Sequence, residues 1–291
     1  MEYVLYLLVV IGIFAILSVS LELVAGQAGL ISVAHAAFYG IGAYTSALLS
    51  VEFNVPFLPG VLAGALLAAL MSLAVSIPSL RIRGDYFVLA TFAFQMIVFG
   101  ILNNWIEVTR GALGISGIPR PAIFGWTATS LADFVVLTSA FVALSYAIVA
   151  RLSSSAYGRV LHAIREDEIF AQALGKNTLR FKVTAFAFSA ALASTAGSLY
   201  AHFITYIDPT SFTIMESILV LAMVIVGGAG NLWGAFFGAV LLVLLPEGLR
   251  AIGFSGGDMG TLQQIIYGVL LVAIVIIRPA GLVGRYGFGR Q

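Results

Sequence analysis

Nine stretches of this chain stay apolar for much of the length a helix needs to cross a bilayer: residues 3–24, 33–51, 57–80, 86–106, 131–150, 183–207, 217–226, 232–252 and 262–277. No soluble domain of 291 residues has interior enough for them. With 61% hydrophobic residues, 9% charged and a mean hydropathy of +1.07, the chain reads as an integral membrane protein. Barrel strands would alternate over about 10 residues, whereas these runs are long and continuous, so the expected fold is an all-α, polytopic membrane helix bundle. The run at 217–226 is too short to cross alone. It is either a half-helix or extends through the glycines that follow, so about nine spans are expected, within a range of eight to ten.

One segment breaks the apolar pattern. Residues 153–182 hold eight of the 27 charged residues: Arg159, Arg165, Glu166, Asp167, Glu168, Lys176, Arg180 and Lys182. Such a segment does not sit in lipid. Its apolar residues fall at helical spacing, Val160 with Ala163 and Ile164, then Phe170 and Ala171 with Leu174. The pattern predicts one or two short amphipathic helices, capped by the serine run and stopped at Gly175, an ordered docking element and not a slack linker. If the segment is cytoplasmic, alternation places 11 of the 14 basic residues inside and leaves Arg110, Arg120 and Arg250 outside. That bias predicts an outside N-terminus and a cytoplasmic C-terminus. The start, Met1-Glu2-Tyr3, lacks the positive flank of a signal peptide, so the first run is expected to remain as a span.

Several function classes drop out. A net charge of +1 gives no reason to expect nucleic acid, and the absence of cysteine excludes disulfide and thiol chemistry. The three histidines lie on separate segments, so neither a metal site nor a catalytic triad emerges, and no enzyme is expected. Gly175-Lys176-Asn177-Thr178 fails as a nucleotide loop: Asn177 follows the lysine where Ser or Thr is needed, and Phe170 stands where a further Gly belongs. The chain has no ATP site of its own and binds no cofactor by this reading.

Three stretches are candidates for function. Gln27, Ser32, His35 and Tyr44 lie among glycines near a membrane boundary, where broken backbone is tolerated only if it is buried in protein or lines a watered cavity. They are candidates for a translocation path, with close helix packing as the alternative. The charged turn Arg81-Ile82-Arg83-Gly84-Asp85 either closes on itself through Asp85 or offers Arg83 and Asp85 to a cytoplasmic partner. Glu22, Glu216 and Glu247 lie in or beside apolar runs, close enough to predicted boundaries that packing or boundary roles are expected. The paired motifs Gly26-Gln-Ala-Gly29 and Gly227-Gly-Ala-Gly230 each precede a small-residue span, as in duplicated transporter halves.

Taken together, these motifs resemble the permease subunits of bacterial ABC importers for branched-chain amino acids, specifically the longer of the two paired permeases. The resemblance runs through Gly26 to Tyr44, the Arg81 turn, Tyr157-Gly-Arg-Val-Leu-His-Ala-Ile-Arg-Glu-Asp-Glu168, Ala173-Leu-Gly175, Ala196-Gly197, Pro209 with Phe212, and Val226-Gly-Gly-Ala-Gly230. It implies a single transmembrane permease domain over residues 1–291, multi-pass in the bacterial cytoplasmic (inner) membrane, with residues 153–182 as a cytoplasmic coupling segment. Tyr157, Gly158, Arg159, Arg165, Glu166, Asp167 and Glu168, with Gly175 ending the helix, are then the ATPase-coupling residues. It implies a second homologous permease, two ABC ATPase subunits that hold ATP and Mg, and an extracytoplasmic solute-binding protein. Leucine, isoleucine and valine are the implied solutes, with other amino acids, urea or short amides carried by similar systems.

Three departures stand out: Ile169 where the wider importer signature has Glu, Thr109-Arg110-Gly111 where a double glycine is common, and Ala34 in place of a frequent glycine. The rival reading is an ion-coupled secondary transporter, which the scarcity of mid-span carboxylates disfavours.

Overall fold

The computed structural model describes residues 1–80, 86–123, 125–251, 259–278 and 281–283. Helices stand at all nine apolar runs. With three shorter helices (α5, α7 and α8) between them, the helices of the described residues are, in chain order, α1 (Glu2–Leu21), α2 (His35–Glu52), α3 (Phe57–Ser79), α4 (Tyr86–Asn104), α5 (Ile106–Thr109), α6 (Leu131–Ser154), α7 (Ala156–Glu166), α8 (Glu168–Ala173), α9 (Thr178–Ile204), α10 (Ile214–Gly227), α11 (Leu232–Ala251) and α12 (Met259–Ile277). Among the described residues six helical stretches are long and apolar enough to cross a membrane: Glu2–Gln27, Phe57–Ser79, Tyr86–Asn104, Leu131–Ser154, Thr178–Ile204 and Pro209–Gly227. The fold is therefore a polytopic helical membrane bundle. The run expected to be short differs from its reading. It is lengthened at its N-terminal side, where a 3-10 turn at Pro209–Phe212, capped by Asp208, leads into α10, and Gly227 and Gly228 end it.

The core lies where α1, α2, α3 and α9 meet. Two glycines set how close α2 and α9 come: a Cβ on Gly197 would lie 1.9 Å from the Tyr39 carbonyl oxygen, and one on Gly42 2.1 Å from that of Ser194. No side chain fits at either place, so the backbones touch directly, and dispersion between them replaces the missing hydrophobic drive in lipid. Phe38 packs edge-on against Phe186, which packs edge-on against Phe87 in turn, tying α2, α9 and α4 together. Leu62, Leu66 and Leu70 on α3 and Leu89 and Ile97 on α4 remain exposed, an outer face suited to lipid.

The two ends of the bundle differ. At one, a β1–β4 pair (Ile115–Ser116 with Tyr206–Ile207) and a β2–β3 pair (Ala122–Ile123 with Trp126–Thr127) fold the α5–α6 connection over the helices, and His202 Nδ1 bonds the Pro119 carbonyl at 2.7 Å. At the other, α7 and α8 lie across the ends of α1, α6 and α9.

Candidate coupling site

α6 runs past the expected boundary to Ser154, and the chain then turns through an extended Ser155 (ψ 176°). Ser155 Oγ accepts from the Tyr157 and Gly158 amides at 3.1 and 3.4 Å, capping α7. Gly158 belongs to this corner: a Cβ there would sit 2.1 Å from the Ser153 carbonyl oxygen. α7 buries Gly158, Leu161 and Ile164, an i, i+3 stripe, and Leu161 packs with Val19, Leu23, Val149, Ala185 and Leu232. Of the apolar residues read at helical spacing, Ile164 is buried, Val160 half-buried and Ala163 exposed. Gly158, with no side chain, lets the first turn of α7 approach the end of α6.

Asp167 breaks the helix with φ −155° and caps the next one, its Oδ1 accepting from the Phe170 amide at 2.9 Å. α8 is short, and Gly175 (φ +77°) ends the segment in the left-handed conformation its sequence position predicts. Only Ala171 is buried, while Ile169, Phe170 and Leu174 are 70%, 61% and 62% exposed. A six-residue helix lying on the bundle end has room to bury one face only, and Ala171 takes it.

Anchors hold this pair of helices in place. The Tyr157 hydroxyl donates to the Phe181 carbonyl at 2.9 Å and pairs with Thr184 Oγ1 at 2.7 Å, and its ring stacks on Phe181. Burial pushes its phenol pKa up, with the Thr184 bond acting in the opposite sense. Lys182 Nζ donates to Glu168 Oε2 at 2.5 Å, an ion pair from α9 to α8 whose lysine side chain is nearly buried. Arg165 Nη1 donates to the Gly26 carbonyl, and its side chain lies against Gly29. Arg159, Glu166 and Asp167 are exposed. Of the residues read as coupling candidates, then, Tyr157, Gly158, Arg165 and Glu168 fix the element to the bundle, and Arg159, Glu166 and part of Asp167 face outward.

The four path candidates lie inside the helix pack. Gln27 Oε1 accepts from Ser153 Oγ at 2.7 Å, joining α1's end to α6. Ser32 is fully buried, and its Oγ accepts from the Ala34 amide at 3.3 Å. Ser189 Oγ spends its proton on the Ser20 carbonyl at 2.5 Å, so His35 bonds it at 3.0 Å as the donor, with the proton on Nε2. Tyr44 stacks edge-on against Phe212. Arg83 and Asp85 lie outside the described residues. Glu216 is half-buried in the first turn of α10, and Glu247 accepts from the Tyr3 hydroxyl and, at 3.0 Å, from Arg250.

Sequence reasoning missed the outward apolar set Ile169, Phe170 and Leu174, the Lys182–Glu168 pair and Ser153. The i, i+14 spacing of opposite charges carries no local signal. The triad was legible as apolar but not as exposed.

A polytopic helical bundle with an ordered, charged element clasped to one end is the make-up of a membrane transport subunit. The chain matches the branched-chain amino acid transport system permease component over residues 3–275, and it belongs to that family. It is 36% identical to the high-affinity branched-chain amino acid transport system permease protein LivM of Escherichia coli (strain K12), over 93% of this chain and 67% of that protein. A probable branched-chain amino acid transport permease protein LivM of Methanocaldococcus jannaschii is 28% identical over 71% of this chain and 62% of its own length. The E. coli K12 permease LivH of the same named system is 25% identical over 94% of this chain and 91% of its own. The identity is higher to LivM, the longer permease of the pair. No solved structure matches.

Proposed function

We propose that this chain is one of two permease halves of an ABC importer that moves leucine, isoleucine and valine across the bacterial cytoplasmic membrane, with α7 and α8 as its contact to an ATPase subunit. The observation that carries the proposal is the outward set Ile169, Phe170 and Leu174, beside exposed Arg159, Glu166 and Asp167, on a helix pair fixed to three other helices. Exposed apolar side chains at a watery membrane boundary are costly unless a partner covers them. A stiff element transmits displacement, where a slack linker would absorb it.

In this reading ATP and Mg sit in the two ATPases. Their closure displaces α7 and α8, which carry the ends of α1, α6 and α9, and the permease pair alternates its opening. The N-terminus lies outside and the C-terminus inside, with about nine crossings. The strand-bearing end, where Trp105, Leu113 and Trp126 are exposed, receives a solute-binding protein whose specificity selects the solute. Supporting this are the positive-inside bias and the family membership. The test is reconstitution of the permease pair with the ATPases, comparing wild type with Phe170→Asp. The proposal expects an intact permease pair that no longer recruits ATPase; normal recruitment would overturn it.

A further inference from the structure

α1 does not end as an ordinary helix. Its last turn widens into a π-helix at Glu22–Gln27, placing a fully buried carboxylate at the first position. Wide turns of this kind are frequent at functional sites. Glu22 Oε1 accepts from the Gly230 amide at 2.7 Å, and from Gln27 Nε2 at 3.4 Å. Gly230 lies in the glycine turn between α10 and α11, where Gly228 and Gly230 take φ of +109° and +87°. The two glycine motifs of the sequence are therefore joined by one side chain.

The same turn receives α7. Arg165 donates to the Gly26 carbonyl, in the widened turn that Glu22 opens. Ser153, at the end of α6, donates to Gln27, which bonds Glu22 in turn. Glu22 Oε2 has no hydrogen-bond partner among the described residues. A carboxylate held this way in a membrane-length helix is a costly means of packing, which a neutral side chain would do more cheaply.

We propose that Glu22 is a positioning residue that joins α7 to both glycine breaks, so that displacement of α7 moves the end of α1 and the α10–α11 turn as one. This rests on the importer reading above. Both breaks lie at helix ends, and Glu22 ties one to the other so that they do not move independently.

Two readouts test it. In the complete importer in proteoliposomes, Glu22→Ala lowers solute moved per ATP hydrolysed by about tenfold, the scale of one ordinary coupling energy between sites, while hydrolysis continues. Glu22→Gln keeps an acceptor for the Gly230 amide and falls between. Adding Arg165→Ala to Glu22→Gln makes matters no worse than Arg165→Ala alone, because both break one linkage. In the permease pair alone, spin labels at Ala163→Cys on α7 and Trp233→Cys on α11 give one narrow distance distribution, which Glu22→Ala broadens. Unchanged solute per ATP in Glu22→Ala, multiplying deficits in the double variant, or a Glu22→Gln chain that cannot assemble would each overturn the proposal. A wild type that shows no ATP-driven uptake refutes the importer reading, and the distance distribution then decides the linkage by itself.

Discussion

Phe170→Ala is the substitution that most directly probes the outward face of α8. The phenylalanine is 61% exposed in the free permease. A side chain of its size contributes roughly 200 Å² when fully buried, so a partner covering it removes about 120 Å² from water. At about 25 cal/mol per Å² that is about 3 kcal/mol, or a weakening of ATPase binding by roughly two orders of magnitude on truncation. The fold should be indifferent, since the side chain touches little in the subunit and the α8 cap, Asp167 Oδ1 to the Phe170 amide, uses backbone that alanine retains. The assay is equilibrium binding of the purified ATPase to the permease pair in nanodiscs, with the melting temperature of the pair as control. Unchanged affinity with unchanged melting would refute the placement of the ATPase on this face. Equal losses in affinity and melting temperature would refute the claim that Phe170 has no part in the fold.

Gly158→Ala drives a methyl group toward the Ser153 carbonyl at 2.1 Å and should cost about 1–3 kcal/mol or more, read as a lower melting temperature with the α6–α7 corner opened to hydrogen exchange. Tyr157→Phe keeps the stack on Phe181 but loses the bonds to the Phe181 carbonyl and Thr184, a loss of about 1 kcal/mol visible in thermal unfolding. Glu168→Gln removes the negative charge from Lys182's half-exposed partner; the loss is about 1 kcal/mol or less, and it should appear as faster proteolysis within 168–175 with little change in global melting. Gly197→Leu forces α2 from α9 at their closest approach, and the expected result is a chain that fails to assemble in the membrane, checked by size-exclusion of the detergent extract.

The membrane-length runs were legible because lipid leaves the chain little choice: any stretch of about 20 apolar residues must hydrogen-bond its own backbone. A helix accordingly stands at each of the nine runs. The capped, glycine-stopped helices of the charged segment were legible for the same local reason, since Ser155, Asp167 and Gly175 act within a turn of where they stand. Which face of those helices turns inward was not. Leu161 is buried while Ala163 and Phe170 are exposed, because the answer depends on where α1, α6 and α9 stand, α1 more than a hundred residues away in sequence. The four polar residues 27, 32, 35 and 44 were recognisable as unusual, yet their partners Ser153 and Ser189 lie at separations no local pattern encodes. Glu22 was noticed as a carboxylate near a boundary. Its tie to Gly230, 208 residues on, required the fold.

The central claim is that α7 and α8 carry an ATPase's work into this bundle. The most direct measurement is leucine uptake into proteoliposomes holding this chain, its partner permease, both ATPases and the binding protein, with Arg165→Ala plus Glu166→Ala beside the wild type. The account predicts uptake that requires ATP and collapses in the double variant while the assembly stays intact. Uptake by this chain alone, driven by an ion gradient and indifferent to those substitutions, would contradict it.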